Sequence, residues 1–361
     1  MTGMIFNDEV PAVHELNYAL HSTLLLVVKI LILEYVTGGG MRQESLPDGL
    51  AAEAELMLHA LLRDLMDING VTELVVLRDD RLPALRIAGD IRVVAVGVST
   101  DFSACWQSHA AQCDAVWPIA PETAGILSGL CHSVEAGCRR LLNSSASAVS
   151  MASSKLETCR VLRTHGLPVV ETCRLHEAVC PPGLAVIVKP DDGAGCDGMS
   201  YFADGLPDSL LLPADFLVQP WLSGESLSLS GVFCHGDALL LSVNRQVIDV
   251  TQTPIVLTAC EVNIYDDRDG AWQHLLERVA RAMPGLWGYA GIDLIMTATG
   301  PSILEVNPRL TSSYAGIRPA TGVNPAEQVL KLLQTGKIAP FVCRTDEIWR
   351  VHLNKDKGPL L

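Results

Sequence analysis

The chain has 361 residues, 49% of them hydrophobic, and its 26 Lys and Arg stand against 41 Asp and Glu for a formal charge of −15. That length supplies apolar surface for two or three domains, and the acidic balance excludes a general nucleic-acid binder, which needs surplus cations to neutralise phosphates. Lysine is scarce: 19 of the cations are Arg, and between Lys29 and Lys331 only Lys155 and Lys189 occur.

Residues 1–28 read as an N-terminal extension. The most apolar stretch, Leu24 to Leu33, contains Lys29 and falls short of the roughly 18 apolar residues that a membrane span requires. It also lacks the leading charge and the small-residue cleavage site of a secretory signal. Eleven Cys, an odd number without a CxxC or zinc-finger spacing, fit a reducing cytoplasm in which most thiols are buried as small hydrophobes. The chain is therefore expected to be cytoplasmic, with neither a membrane nor a nucleic-acid partner.

Lys29–Tyr35 has the continuous apolar run of a buried parallel strand and leads into a Thr37-Gly38-Gly39-Gly40 turn. Leu50 to Met66 has helical composition, Glu73–Leu77 and Arg92–Val98 are short strands, and Pro121 to Leu142 reads as a helical region. Strands separated by helices predict a doubly wound α/β domain over 29–145, ended by the small polar stretch Asn143 to Ser147. Lys155 to His165 reads as a helix stopped by Gly166 and Pro168. Hairpin-like strands follow at Val186–Lys189, Met199–Phe202, Phe216–Gln219, Leu227–Cys234 and Ala238–Val243. A helix at Ala271–Met283, strands Gly291–Thr297 and Ser302–Val306, and a helix at Pro325–Leu333 complete the pattern. The fold class is α/β plus α+β.

Four segments carry chemistry. Lys189 ends an apolar strand before a loop with Gly193, Gly195 and Gly198; glycines let backbone N–H groups approach an anion, and Lys adds a point charge. An ordinary hairpin turn is the other reading. Phe216 to Glu225 is a strand running into a Pro220-Trp221 break. It could offer main-chain groups to a purine edge, with Glu225 near ribose hydroxyls, or it could simply end a strand. Asp293 and Glu305 lie in apolar strands, and Glu305 and Asn307, two apart, share a face. A tight hairpin would bring Asp293 beside them, and three oxygen ligands suit Mg²⁺ held jointly with nucleotide phosphates. Arg309 could reach the same anionic centre. Thr311 to Tyr314 follows at once; its hydroxyls could orient a substrate or cap a helix.

Together and in this order, these segments resemble the ATP-grasp superfamily over roughly residues 29 to 340. The elements that carry the resemblance are the N-terminal α/β domain, Ser153-Ser154-Lys155, Val188-Lys189-Pro190, the glycine loop, the hinge, and Asp293 with Glu305-Val306-Asn307. The resemblance implies an ATP-grasp fold with a pre-ATP-grasp domain at 29–145, a small lobe at 146–225, a large lobe at 226–340 and a tail at 341–361. It implies ATP between the lobes, Lys155 and Lys189 on its phosphates, Gly193 and Gly195 in the glycine loop, and main chain around Gln219, Trp221 and Leu222 on adenine. Asp293, Glu305 and Asn307 would bind Mg²⁺ or Mn²⁺. Lys29 to Gly39, Ser242 to Gln246 and Glu305 to Tyr314 are similar to tyramine–glutamate ligases of methanofuran biosynthesis. The activity implied is an ADP-forming carboxylate–amine ligase working through an acylphosphate, with glutamate and tyramine or tyrosine as substrates. Arg245 is a candidate for gripping the acid or the acylphosphate, because a guanidinium meets a carboxylate or phosphate bidentately. Ligation of another amino acid or peptide, a small-molecule kinase, and a non-catalytic nucleotide binder stay open as alternatives, as does a homodimer. No residue stands out as general base.

Overall fold

The computed structural model describes residues 28–353 apart from 88, 182, 194–197, 208–209, 211, 214 and 250–254. Most of the expected N-terminal extension, and Gly195, therefore lie outside the described residues. The chain opens with β1 (Val28–Glu34), α1 (Asp48–Met66), β2 (Val71–Asp79), β3 (Ile91–Val96), α2 (Phe102–Ala110), β4 (Ala115–Ile119), α3 (Ile126–Ala136) and β5 (Arg140–Leu141). These strands form a five-stranded sheet in the order β3-β2-β1-β4-β5, parallel throughout. Alternation along β1 explains why Ile30 to Leu33 are all apolar. Ile30 and Ile32 pack with Leu58, Leu61 and Leu62 of α1, while Leu31 and Leu33 pack with Trp106 of α2 and Leu127 of α3. β4, which the sequence pattern leaves unassigned, carries Pro118, a residue disfavoured inside a sheet. Pro118 is tolerated because β5 reaches only Ala115 and Val116, so no partner on that side needs its missing N–H.

Two helices, α4 (Ala146–Ser153) and α5 (Lys155–Thr164), cross to the second half. Ser145 and Ser154 cap them by accepting from Ala148 N and Glu157 N. A four-stranded antiparallel sheet follows: β6 (Cys173–Arg174), β7 (Val186–Pro190), β8 (Ser200–Phe202) and β9 (Phe216–Pro220), in the order β6-β9-β7-β8. The larger sheet is built from β10 (Glu225–Cys234), β11 (Asp237–Asp249), β12 (Val256–Val262), β13 (Trp287–Thr297) and β14 (Gly300–Asn307), with α6 (Ala271–Ala282) on one face. Then come α7 (Tyr314–Thr321), α8 (Pro325–Thr335) and β15 (Trp349–His352). The segment expected as a tail returns to this sheet, since β15 pairs antiparallel with β12 in the order β14-β13-β10-β11-β12-β15. Gly224 sits where the chain passes between the two antiparallel sheets. A side chain there would collide with the Met296 backbone, so only Gly permits the approach.

The ten described cysteines are all unpaired, and five of them are buried, fewer than the composition suggested. Among the described residues no helix is long and apolar enough to cross a membrane.

At the end of β1 the Glu34 carboxylate is 2% exposed and accepts from Thr37 N and Oγ1, each at 2.7 Å. Burial pushes its pKa from 4.5 up to about 7, against the pull of the Thr37 bonds. A carboxyl with a raised folded-state pKa stabilises the fold fully below its unfolded value. That stability is lost as pH rises through about 7. Glu34→Gln should remove this slope. Its stability relative to wild type should rise by about 3 kcal/mol between pH 4 and pH 8, as read from urea denaturation at both pH values.

Candidate active site

The strand register assembles the centre of the site. β10, β13 and β14 pair so that Ser228 lies opposite Asp293 and Asp293 opposite Glu305, while Asn244 of β11 lies on the other side of Ser228. Asn307, two residues after Glu305, donates from Nδ2 to Asp293 Oδ2 at 3.0 Å. The expected hairpin thus brings Asp293, Glu305 and Asn307 together. Gln246 joins them, donating from Nε2 to Asp293 Oδ1 at 3.0 Å and accepting from Ser226 Oγ at 2.8 Å.

Lys155 and Lys189 converge on this row. Lys155 Nζ is 3.4 Å and Lys189 Nζ 3.8 Å from Glu305 Oε2, and both lysines are nearly inaccessible to solvent. The two arrive from different elements, α5 and β7. Their convergence depends on Asp191, which accepts from Ser154 Oγ at 2.9 Å and Leu156 N at 3.0 Å and so ties the end of β7 to the start of α5. Lys155 Nζ also donates to the Gly193 carbonyl and to Asp191 O, so Lys155 and Gly193 meet at the base of the glycine loop. Asp192 anchors the same loop to the first domain, accepting from Ala124 N at 2.8 Å.

Burial pushes the Asp293 carboxyl up to about 7, and the nearby charge of Glu305 adds to the rise. Burial also acts to raise Glu305, but Lys155 and Lys189 outweigh it and hold Glu305 below the usual carboxylate range. The Lys189 ammonium is lowered by burial, partly offset by Glu305. Two buried carboxylates that repel each other, with an amide oxygen alongside, form a donor set suited to a hard divalent cation that keeps phosphate or water as its other ligands. No cluster of three or more His, Cys, Asp or Glu occurs among the described residues, so a cation here would depend on that shared coordination.

Lys189, Asp293, Glu305 and Asn307 line a cleft of about 390 Å³ between the small and large antiparallel sheets. Lys189, Gln219, Trp221 and Leu222 line it from one side, and Asp293, Glu305, Asn307, Arg309 and Thr311 to Ser313 from the other. The hinge main chain is partly engaged: Trp221 N donates to Ala185 O at 2.8 Å, which withdraws that donor from a ligand. The Gln219 side chain is likewise turned to the protein, donating to Thr172 Oγ1 at 3.0 Å.

Lys155 and Gly193 are not among the residues that line the cleft, although Lys155 meets Glu305 there, and two further expected site residues are turned away from it. Arg245 and Glu225 form an ion pair with each other. Arg245 Nη1 also binds Glu261 Oε2 at 2.7 Å, and Glu225 accepts from Tyr265 Oη at 2.6 Å. The reason is strand alternation: Ser226, Ser228, Asn244 and Gln246 occupy the cleft face of β10 and β11, so Glu225, Leu227 and Arg245 occupy the other. The hydroxyls of Ser312 and Ser313 do not cap α7. They reach Glu53 of α1 and Ser228 instead.

Arg309 does reach the cleft, and it is tied to the first domain. Its Nε donates to Glu122 Oε1 at 2.9 Å and Oε2 at 3.0 Å, and both side chains are largely buried. Burial works against the guanidinium charge, but Glu122 outweighs it and holds Arg309 firmly protonated. Glu122→Ala would leave that charge buried without a partner, at a cost of about 3–5 kcal/mol. Glu122→Gln should cost less; a denaturant midpoint series over the two variants checks the order.

The pre-ATP-grasp 3 domain family matches residues 72–149, and the ATP-grasp domain family matches residues 152–313. The chain is 28% identical over 305 residues to a tyramine–L-glutamate ligase of Methanocaldococcus fervens, covering 84% of this chain and 93% of that one. A second such ligase, from Methanocaldococcus jannaschii, is 26% identical over 322 residues, covering 88% and 92%. Among solved structures, an ATP-grasp superfamily protein of Archaeoglobus fulgidus superposes with a TM-score of 0.65 at 22% identity, covering 91% of this chain and 100% of that one.

Proposed function

Because the chain belongs to the ATP-grasp superfamily, we propose that it is an ADP-forming ligase that activates the γ-carboxylate of glutamate as an acylphosphate and couples it to tyramine or tyrosine. The observation that carries this reading is the convergence of the chain's only two interior lysines on Glu305, beside Asp293 and Asn307. Positive charge and paired carboxylates at one spot suit a nucleotide triphosphate held with a divalent metal, Mg²⁺ or Mn²⁺. The two curated relatives named for glutamate and tyramine support the choice of substrates.

In this reading the purine lies against Gln219 to Leu222, and the β- and γ-phosphates lie near Lys155, Lys189 and Gly193. Asp293, Glu305 and Asn307 hold the metal, which when bound neutralises charge on the phosphates. The substrate carboxylate attacks the γ-phosphorus and releases ADP. Lys189 and Arg309 offset the charge developing on the transferred group. The amine then attacks the acylphosphate carbonyl and expels phosphate. Arg245 and Glu225, turned to the opposite face, have no part in these steps. The work is cytoplasmic, on two small molecules.

An ADP-release assay with L-glutamate and a panel of amines including tyramine and L-tyrosine, with mass detection of the amide, tests the substrate assignment. ADP should form in step with a glutamyl amide. If glutamate with every aromatic amine yields no ADP above background, the glutamate–tyramine reading falls.

A further inference from the structure

The steps above leave one wall of the cleft unused. In the sheet order β14-β13-β10-β11-β12, Glu305 and Asp293 sit on the first two strands. The far wall stands on the last two: Ile248 of β11, Leu257 and Cys260 of β12, and Ile255 just before β12. Ile248 lies opposite Leu257, and Gln246 opposite Cys260, so the surface turns apolar directly beside Gln246.

Among the described residues three carboxylates line this cleft, Glu53, Asp293 and Glu305. Glu305 has Lys155 and Lys189 as counter-ions, and Asp293 is held by Asn307 and Gln246 in the row assigned to the metal. Glu53 has neither arrangement. It is half-buried and reaches the cleft from α1 of the first domain. Among the described residues it accepts one side-chain hydrogen bond, from Ser312 Oγ to its Oε1, and forms no ion pair. That bond ties α1 to the segment after β14 but leaves the charge unmatched.

Glu53 stands over the apolar wall. Burial pushes the Cys260 thiol up to about 12, and the charges of Glu53 and Asp293 add to the rise. Burial works against the Arg309 charge; Glu122 outweighs it first, and Glu53 and Glu305 add smaller pulls. Arg309 is thus committed to Glu122, while Glu53 and the phosphate end of the cleft flank the same guanidinium. A carboxylate without a counter-ion, beside an apolar wall inside a cleft, suits a ligand with a cationic head and an apolar body.

Resting on the ligase reading above, we propose that Glu53 receives the ammonium group of the amine substrate. The apolar body of the amine lies on Ile248, Ile255 and Leu257. The ammonium is the counter-charge that Glu53 lacks, and it is held next to the acyl group that the amine attacks. The first domain therefore chooses the acceptor, while the two antiparallel sheets hold the nucleotide.

Comparison of two nucleophiles tests this, with L-glutamate and MgATP saturating. One is whichever of tyramine and L-tyrosine the wild type ligates. The other is hydroxylamine, which is uncharged near neutral pH, has no apolar body, and converts the acylphosphate to γ-glutamyl hydroxamate. Glu53→Gln should lower kcat/KM for the aromatic amine about tenfold or more relative to hydroxylamine, the loss of one charge-assisted hydrogen bond. Glu53→Asp, which keeps the charge, should lose less. Hydroxamate formation shows in the same samples that the variants are folded. Equal losses with both nucleophiles would make Glu53 a structural tie to Ser312 and overturn the proposal. A raised KM for glutamate in the hydroxamate reaction would place the α-ammonium of glutamate on Glu53 and overturn it as well. No hydroxamate from the wild type would remove the glutamate reading itself, and the proposal with it.

Discussion

Glu305→Gln should lower ATP-dependent ligation by at least about 10³-fold, close to 4 kcal/mol of transition-state stabilisation. The substitution preserves size and takes away one negative charge at the point where everything in the cleft converges. Glu305 is the shared counter-ion of Lys155 and Lys189 and the cross-strand partner of Asp293. A neutral amide there halves the charge available to a divalent cation and leaves two buried ammonium groups without their common carboxylate. Two readouts separate these consequences from simple misfolding. Steady-state ADP formation should fall to background, and the rise in melting temperature that MgATP gives the wild type, a mass-action effect of binding, should shrink or vanish. A variant that turns over at the wild-type rate would contradict the assignment of this row as the metal site.

Lys189→Met is the second large effect, and it should divide stability from activity. Lys189 is buried, and among the described residues its only ion-pair contact is Glu305 at 3.8 Å; Glu305 keeps Lys155 at 3.4 Å when Lys189 is gone. Burying an ammonium group is costly, and a methionine of similar length fills the same space without that cost. The melting temperature should therefore hold or rise. Ligation should drop by about 10²–10³-fold, because a preorganised charge beside the transferred phosphoryl group is lost. Wild-type ligation in this variant would remove Lys189 from the phosphate site. A fall in melting temperature that tracks the loss of activity would make its role structural.

The parts of this architecture that depend on local pattern were legible in the sequence. The run Ile30 to Leu33 is apolar throughout because both of its faces are covered. The Asp293 and Glu305 strands sit in one hairpin because only Ala298 and Thr299 separate them. The scarcity of lysine singled out Lys155 and Lys189 before any geometry was known. What escaped the reading depends on facing and on distance along the chain. Glu225 and Arg245 carry suitable chemistry for an active site, but each lies one residue from the cleft face. The alternation Ser226-Leu227-Ser228-Leu229-Ser230 would have shown this, since the leucines are buried on the side packed against α6. The same alternation points to Asn244 and Gln246 in place of Arg245. Glu122 and Glu53 could not be read locally at all, because they meet Arg309 and Ser312 across 187 and 259 residues. The helix α7 and strand β15 are short and owe their form to packing on α1 and β12 rather than to propensity.

The central claim is that the carboxylate is activated by phosphoryl transfer before the amine attacks, and isotope transfer tests it most directly. With L-glutamate carrying ¹⁸O in its γ-carboxylate, an amine acceptor and ATP, the phosphate released should contain one ¹⁸O per amide formed, because the carboxylate oxygen that attacks phosphorus leaves with it. Phosphate free of ¹⁸O, or a stable phosphorylated product with no amide, would contradict the ligase mechanism and turn the same site into an ATPase or a kinase.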